Sequence, residues 1–221
     1  MNKKIRKFLV IKIKNMINIF GWLKLAIINK DQKPPIFEKS ASQGLKIHIG
    51  SGEINIQGWV NIDARDFSHV HIVSKEISFN EFTDGSIQEV YLCHILEHLS
   101  FLELESVLHL INLKLKVGGV IRVSVPDFDK VIDIYQMENN NLDSVKHVLM
   151  GGQDYEFNFH KSVFNNLFLT NMLTQHNFNN VLSWDALTDF GVDLKDWSNG
   201  KIKTSGGNMP VSLNLKAEKS A

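Results

Sequence analysis

Residues that staple or break a fold are scarce in this chain. Its 221 residues include one cysteine and four prolines. The lone thiol, Cys93, cannot close an internal disulfide, which excludes a disulfide-built scaffold and is compatible with a reducing compartment. Cys93 sits inside an apolar run, where a thiol behaves as a small buried hydrophobe. Net charge is absent too, with 24 Lys and Arg against 24 Asp and Glu. No apolar stretch approaches the roughly 20 uninterrupted residues that cross a bilayer. No small-residue cleavage site follows a clean apolar segment, so a secretory signal is not expected either. Internal repeats are missing.

The neutral total conceals an asymmetry. Residues 1–33 hold nine Lys and Arg against Asp31 alone, so this arm carries +8 and the remainder −8. On a helix of 3.6 residues per turn, Ile5, Leu9, Ile13, Met16, Phe20, Leu23 and Ile27 share one side, and Lys4, Lys7, Lys14, Asn15 and Asn18 the other. Such a basic amphipathic helix either rests in the plane of an anionic membrane or packs on the domain or a partner subunit. Its apolar content argues against a nucleic-acid partner. Pro34-Pro35 and small polar residues make 34–43 a linker. Residues 44–221, in a chain that is 43% hydrophobic, suffice for one cored domain.

That domain is organised around 45–63. A β-branched run, Leu45-Lys-Ile-His-Ile49, ends in Gly50-Ser51-Gly52, and a second, Trp59-Val-Asn-Ile62, ends in Asp63. Glycines after a strand let backbone approach a ligand, and their amides can face a carboxylate or phosphate. An acid at the tip of the next strand can accept both hydroxyls of a ribose. The same glycines also serve merely to turn a corner.

Further elements follow in order. A weak third strand is expected over 68–74 and a fourth over 87–93, with His94-Ile95-Leu96-Glu97-His98 at its carboxyl end. Residues 101–116 read as a helix presenting Leu102, Val107, Leu110, Ile111 and Leu115, closed by a left-handed cap at Gly118-Gly119. A fifth strand over 120–125 leads into Pro126-Asp127, where Asp127 suits either a substrate contact or a helix N-cap. Two short helices split at 139–141, a loop over 151–161 and a helix over 162–176 come next. Strands over 178–184 and 211–216 close the chain. The polar 185–209 between them is long for a hairpin connection and suits a lid or binding loop. His94 and His98 stand four apart, a spacing that can bind metal on a helix, yet no third ligand stands at suitable spacing, so no metal is expected.

This succession resembles the class I S-adenosylmethionine-dependent methyltransferases. The closest likeness is to a small bacterial branch associated with surface-polysaccharide genes, whose motif reads strand, Gly-Ser/Cys-Gly, short loop, Gly-Trp, strand, Asp. It continues through Asp84-Gly85-Ser86, His94 to His98, Gly118-Gly119 and Pro126-Asp127, covering roughly residues 44–217. The resemblance implies a Rossmann-like α/β fold, with a mostly parallel seven-stranded sheet and a C-terminal antiparallel hairpin. One departure is plain: the loop between the first two strands is too short for the usual crossover helix, as in that branch.

The resemblance also implies S-adenosylmethionine as cofactor, held by Gly50, Ser51, Gly52 and Asp63. Adenine would be met by backbone, by Ser74 or by Asp84. The turn carrying His94 and Glu97 would line the methionine end and the acceptor pocket. His160, in a Gly-Gly to His-Lys segment shared with similar sequences, is the candidate general base, with His98 or Asp127 as substitutes. The implied acceptor is a small-molecule or glycan hydroxyl, and the implied location is cytoplasmic, peripheral on the inner face of the plasma membrane if the arm binds lipid. Two rivals stand beside this reading. One is a non-catalytic interaction subunit of a glycan assembly complex. The other is a nicotinamide-dependent enzyme, disfavoured because Asn55 replaces the last glycine of Gly-x-Gly-x-x-Gly.

Overall fold

The computed structural model describes residues 27–28, 44–191 and 193–221. The amphipathic-arm and linker expectations therefore lie outside the described residues, apart from Ile27–Ile28. Those two form a strand, β1, not the end of a helix.

Nine further strands follow: β2 (Leu45–Ile49), β3 (Val60–Asp63), β4 (Ile72–Val73), β5 (Ile87–Cys93), β6 (Leu115–Pro126), β7 (Phe178–Ser183), β8 (Lys201–Thr204), β9 (Gly207–Pro210) and β10 (Ser212–Lys219). The main sheet runs β1-β4-β3-β2-β5-β6-β10-β7. Strands β2 to β6 pair in parallel, with Ile49 beside Ile62 and Leu92. β10 is antiparallel to both β6 and β7. This is the Rossmann-like α/β sheet with a terminal antiparallel hairpin that the sequence led us to expect, plus the antiparallel edge strand β1.

Chain order reverses between β2 and β5. β3 and β4 extend the sheet one way and β6 the other, which opens a crevice at the carboxyl ends of β2 and β5. Strands inside a parallel sheet are covered on both faces, and all four β3 residues are buried, the polar Asn61 and Asp63 included.

One face is covered by helices α1 (Phe101–Lys114) and α4 (Asn166–Gln175), whose Leu104, Leu108, Ile111, Leu169 and Leu173 pack on Ile47, Ile62 and Val90. α1 starts in a capping box, Ser100 with Glu103. It differs from expectation at two points. Leu102 is exposed, its place in the core taken by Leu104 and Leu108. The helix also stops at Lys114, because Leu115 is already extended, so Gly118 and Gly119 bend β6 and do not cap a helix. α4 likewise begins four residues after the expected position 162, at an Asn165 N-cap.

The second face is covered by the long connection between β7 and β10, which is more ordered than a lid. It carries α5 (Ala186–Phe190), a 3-10 turn (Trp197–Asn199) and the β8–β9 hairpin. Trp184, Phe190 and Leu194 pack there on Trp59 and Tyr91. The remaining helices, α2 (Phe128–Met137) and α3 (Lys146–Met150), follow β6. No described helix is long and apolar enough to cross a membrane.

Candidate active site

A cavity of about 930 Å³ opens at the carboxyl ends of β2, β3 and β5. Ligand pockets commonly span about 300–1,000 Å³. Gly50, Ser51, Gly52, Asp63, Ser74, His94, Glu97, His98 and His160 all line it, so one chamber collects nine of the eleven residues singled out from sequence.

Asp84 and Asp127 do not line it. Asp84 precedes β5, at the opposite end of a parallel sheet, and pairs with Lys114 at 2.6 Å, which removes it from any adenine contact. Asp127 caps α2 by accepting the Asp129 amide at 3.2 Å and lies 3.4 Å from Lys130. Its carboxylate serves a helix terminus, so it is not placed to remove a proton from an acceptor.

The glycine loop works differently from the expectation. The amides of Gly50 and Ser51 both donate to Ile62 O, and that of Gly52 donates to Asp63 Oδ2 at 2.7 Å. These amides tie the loop to β3 and do not point at a ligand. Gly50, at φ 65°, is required by its neighbour: a Cβ there would stand 1.9 Å from Ile95 Cδ1. His69 Nε2 donates to Gly52 O at 3.0 Å and holds the loop from its other side.

Buried polar atoms sit in the chamber wall. Among the described residues Ser51 Oγ and Ser78 Oγ have no hydrogen-bond partner, and the Glu97 carboxylate has the His94 ring beside it but no hydrogen bond of good geometry. Asp63 Oδ1 accepts the Arg65 amide at 2.8 Å, yet a carboxylate has further lone pairs to offer. A polar ligand with ribose-like hydroxyls and an amino-acid end fits such a chamber. Ser78, two positions beyond the acid Glu76 in the loop after β4, escaped the sequence reading because serine in a loop carries no signal by itself.

His94 adopts φ 53°, a left-handed conformation uncommon outside glycine. That kink turns the chain from β5 into the Leu96–His98 turn. Ser212 Oγ donates to Trp197 O at 2.6 Å and so accepts from His94 Nε2 at 2.9 Å. His94 Nδ1 lies 3.1 Å from Glu97 Oε1. Burial alone would raise the Glu97 pKa, but His94 and His98 outweigh it and hold the group below the usual carboxylate range.

A third imidazole completes the cluster. His160 comes from the loop after α3, and its ring lies 4.8 Å from that of His98, edge to face. Its Nδ1 is 3.0 Å from Val148 O, and His98 Nδ1 is 3.2 Å from Phe159 O. A carbonyl can only accept, so each Nδ1 carries a proton, and in the neutral ring Nε2 keeps the lone pair. Burial lowers the His160 pKa, only partly opposed by Glu97. The amides of Lys161 and Ser162 both donate to Glu97 O, which joins this loop to the β5 turn.

The loop over 151–161 also reaches across the chamber. Lys75 pairs with Glu156 at 2.7 Å, and the Arg65 guanidinium lies 5.7 Å from the Tyr155 ring. On the far side Tyr91 donates to Asp196 at 2.5 Å, which sets Trp197 5.9 Å from His94. Tyr155, Glu156, Asp196 and Trp197 belong to the two loops that the sequence put near the site, whereas Arg65, Lys75 and Tyr91 carried no such signal and are brought in through long-range contacts.

No family model and no curated protein matches the chain. Solved structures similar to it include an S-adenosylmethionine-dependent methyltransferase from Archaeoglobus fulgidus, 15% identical, covering 83% of this chain and 90% of that one at a TM-score of 0.49. Another, from Methanosarcina mazei, is 15% identical and covers 85% and 98% at 0.48. Human N-acetylserotonin methyltransferase in complex with S-adenosylmethionine is 14% identical and covers 80% and 48% at 0.44. Likeness this distant leaves the functional reading to rest on the chamber itself.

Proposed function

We propose that the chain is an S-adenosylmethionine-dependent methyltransferase acting on a hydroxyl of a small-molecule or glycan acceptor. The observation that carries this reading is the Gly52–Asp63 tie at the reversal point of the sheet. It presents an acid to a chamber that also holds unpaired serine hydroxyls and a base-bearing cluster.

S-adenosylmethionine, when bound, supplies a methyl already activated by its sulfonium. The residues here have two tasks, alignment and proton removal. Asp63 would accept ribose hydroxyls, with Ser51 and Ser78 as further polar partners. Ser74 stands on the same wall, but its Oγ is already bonded to Glu76 O at 2.7 Å, so its role reduces to shaping that wall. His94 and Glu97 form the polar floor beneath the acceptor. His160 Nε2, unprotonated by the tautomer argument, takes the acceptor proton as the oxygen forms its bond to carbon, and His98 is the neighbouring alternative.

The acceptor being a glycan, and a role in polysaccharide synthesis, rest on the resemblance of the motifs alone. The basic 1–33 arm fits attachment to an anionic membrane, close to where lipid-linked glycans are built.

Calorimetric titration with S-adenosylmethionine and S-adenosylhomocysteine tests the reading directly. Micromolar binding that disappears in Asp63→Ala supports it. Absence of heat with both compounds overturns it in favour of a non-catalytic interaction module.

A further inference from the structure

Glu97, His98 and His160 offer ligand atoms that all lie within 4.8 Å of one another, at the edge of the chamber. Each feature of the cluster suits a cation. The Glu97 carboxylate is buried with the His94 ring 3.1 Å from Oε1, and among the described residues neither oxygen accepts a hydrogen bond of good geometry. Both histidines donate Nδ1 to a backbone carbonyl, Phe159 O and Val148 O, so in the neutral rings the Nε2 lone pairs are the ones left to bind an ion. This is the outer support that metal-bound histidines use, since it fixes the tautomer and the ring orientation. The two segments are locked together by the Lys161 and Ser162 amides on Glu97 O, so the three side chains are not a chance meeting of loose loops.

We infer that Glu97, His98 and His160 form a binding site for one divalent transition-metal ion. Two imidazoles and one carboxylate suit zinc, cobalt, manganese or ferrous iron, and disfavour magnesium or calcium, which prefer oxygen ligands throughout. Metal bonds of about 2.1 Å in tetrahedral array place ligand atoms roughly 3.4 Å apart. The ligand atoms therefore draw together by up to about 1.4 Å when the ion binds. Three protein ligands leave at least one position open toward the chamber.

The metal site stands independently of methyl transfer; only its use rests on that reading. With a cation bound, His98 and His160 would serve as ligands in place of the base role they have in the metal-free site, and an acceptor hydroxyl at the open position would be acidified by the metal, its proton passing to water. The pairing of His94 with Glu97 then orients the carboxylate ligand from behind.

The test uses the full-length chain without a histidine tag, stripped of metal and titrated with cobalt(II) chloride. Visible absorption and elemental analysis follow the binding. One Co²⁺ per chain, with a ligand-field band of mixed nitrogen and oxygen ligation, is expected. His98→Ala, His160→Ala and Glu97→Gln should each weaken binding at least about tenfold, while His109→Ala, on the exposed face of α1, leaves it unchanged. The half-buried His98 is the variant least able to disturb folding, and thermal melts identify any that do.

Saturable binding that survives all three substitutions, or no saturable binding, overturns the site. Titrating the same samples with S-adenosylmethionine separates the two readings. Cofactor binding without Co²⁺ binding overturns the metal site alone, and Co²⁺ binding without cofactor binding overturns methyl transfer alone.

Discussion

The Gly52 amide donates to Asp63 Oδ2 at 2.7 Å, so the glycine loop after the first parallel strand and the acid ending the second are one hydrogen-bonded unit. Substituting Asp63 therefore acts twice. Asp63→Ala removes the acceptor of the Gly52 amide together with the group facing the ligand, and hydrogen bonds to charged groups are worth about 1.5–3 kcal/mol each. S-adenosylmethionine affinity should fall at least about tenfold by calorimetry. Asp63→Asn keeps an oxygen for Gly52 and should lose less.

Gly50 and Gly52 should respond differently to alanine. Both adopt positive φ, which costs an added Cβ about 1 kcal/mol. At Gly50 that Cβ also meets Ile95 Cδ1 at 1.9 Å, whereas at Gly52 the nearest atom is an Arg65 nitrogen at 3.5 Å. Chemical denaturation should show Gly50→Ala to be the more destabilising. Adding Ile95→Ala to Gly50→Ala should cost less than the sum of the two single losses; strict additivity would show that the contact does not matter.

His160→Ala should cut turnover by roughly 10² to 10⁴ while leaving cofactor affinity nearly intact. A general base must be unprotonated, and burial lowers the His160 pKa. The acid limb of the pH–rate profile should therefore lie below the ordinary histidine value of about 6.5. A limb above that value, or an unchanged rate in the variant, would remove His160 from proton transfer.

His48 ties stability to pH. Buried and stacked 5.0 Å from Tyr91, it has a pKa lowered to about 4, by burial above all, with Asp196 and Asn61 opposing. A lowered folded pKa means that its full contribution is present above about pH 6.5 and is lost as pH falls toward 4. The span corresponds to about 3 kcal/mol. Among the described residues His48 Nδ1 has no hydrogen-bond partner, so His48→Phe gives up the ring's hydrogen bond with Asn61 alone and should flatten the acid side of the stability profile. Urea melts between pH 7 and 4 would show this.

Arg122 bridges Glu89 at 2.5 Å and Asp189 at 2.7 Å, with its guanidinium 5.3 Å from the Phe190 ring. Asp189, drawn down to about 2 by Lys216 and Arg122 against the opposing effect of burial, fastens α5 to the sheet. Arg122→Met leaves Lys46 on Glu89 and Lys216 on Asp189, so the loss should be partial, about 2 kcal/mol in denaturant unfolding. A loss below a few tenths would mean that the network is not cooperative.

The sequence by itself determined the sheet. Short runs rich in apolar and β-branched residues at 45–49, 60–63, 87–93 and 120–125 suit strands between two covered faces, and short parallel strands then place their glycine and acid tips at one end. It also determined which residues carry polar chemistry at those tips, from Gly50 to His98. Tertiary structure decided what local pattern cannot encode. Asp84 and Asp127 have the right residue type, but the direction of β5 and the start of α2 send them elsewhere. The amides of 50–52 were free on paper and are bonded to β3 in space. The third member of the Glu97–His98 cluster was missed as a ligand because ligand spacing was sought along the chain, whereas His160 arrives by a loop crossing from α3. Such convergence depends on backbone hydrogen bonds between distant segments, here Lys161 and Ser162 to Glu97, and no periodicity in the sequence reports them.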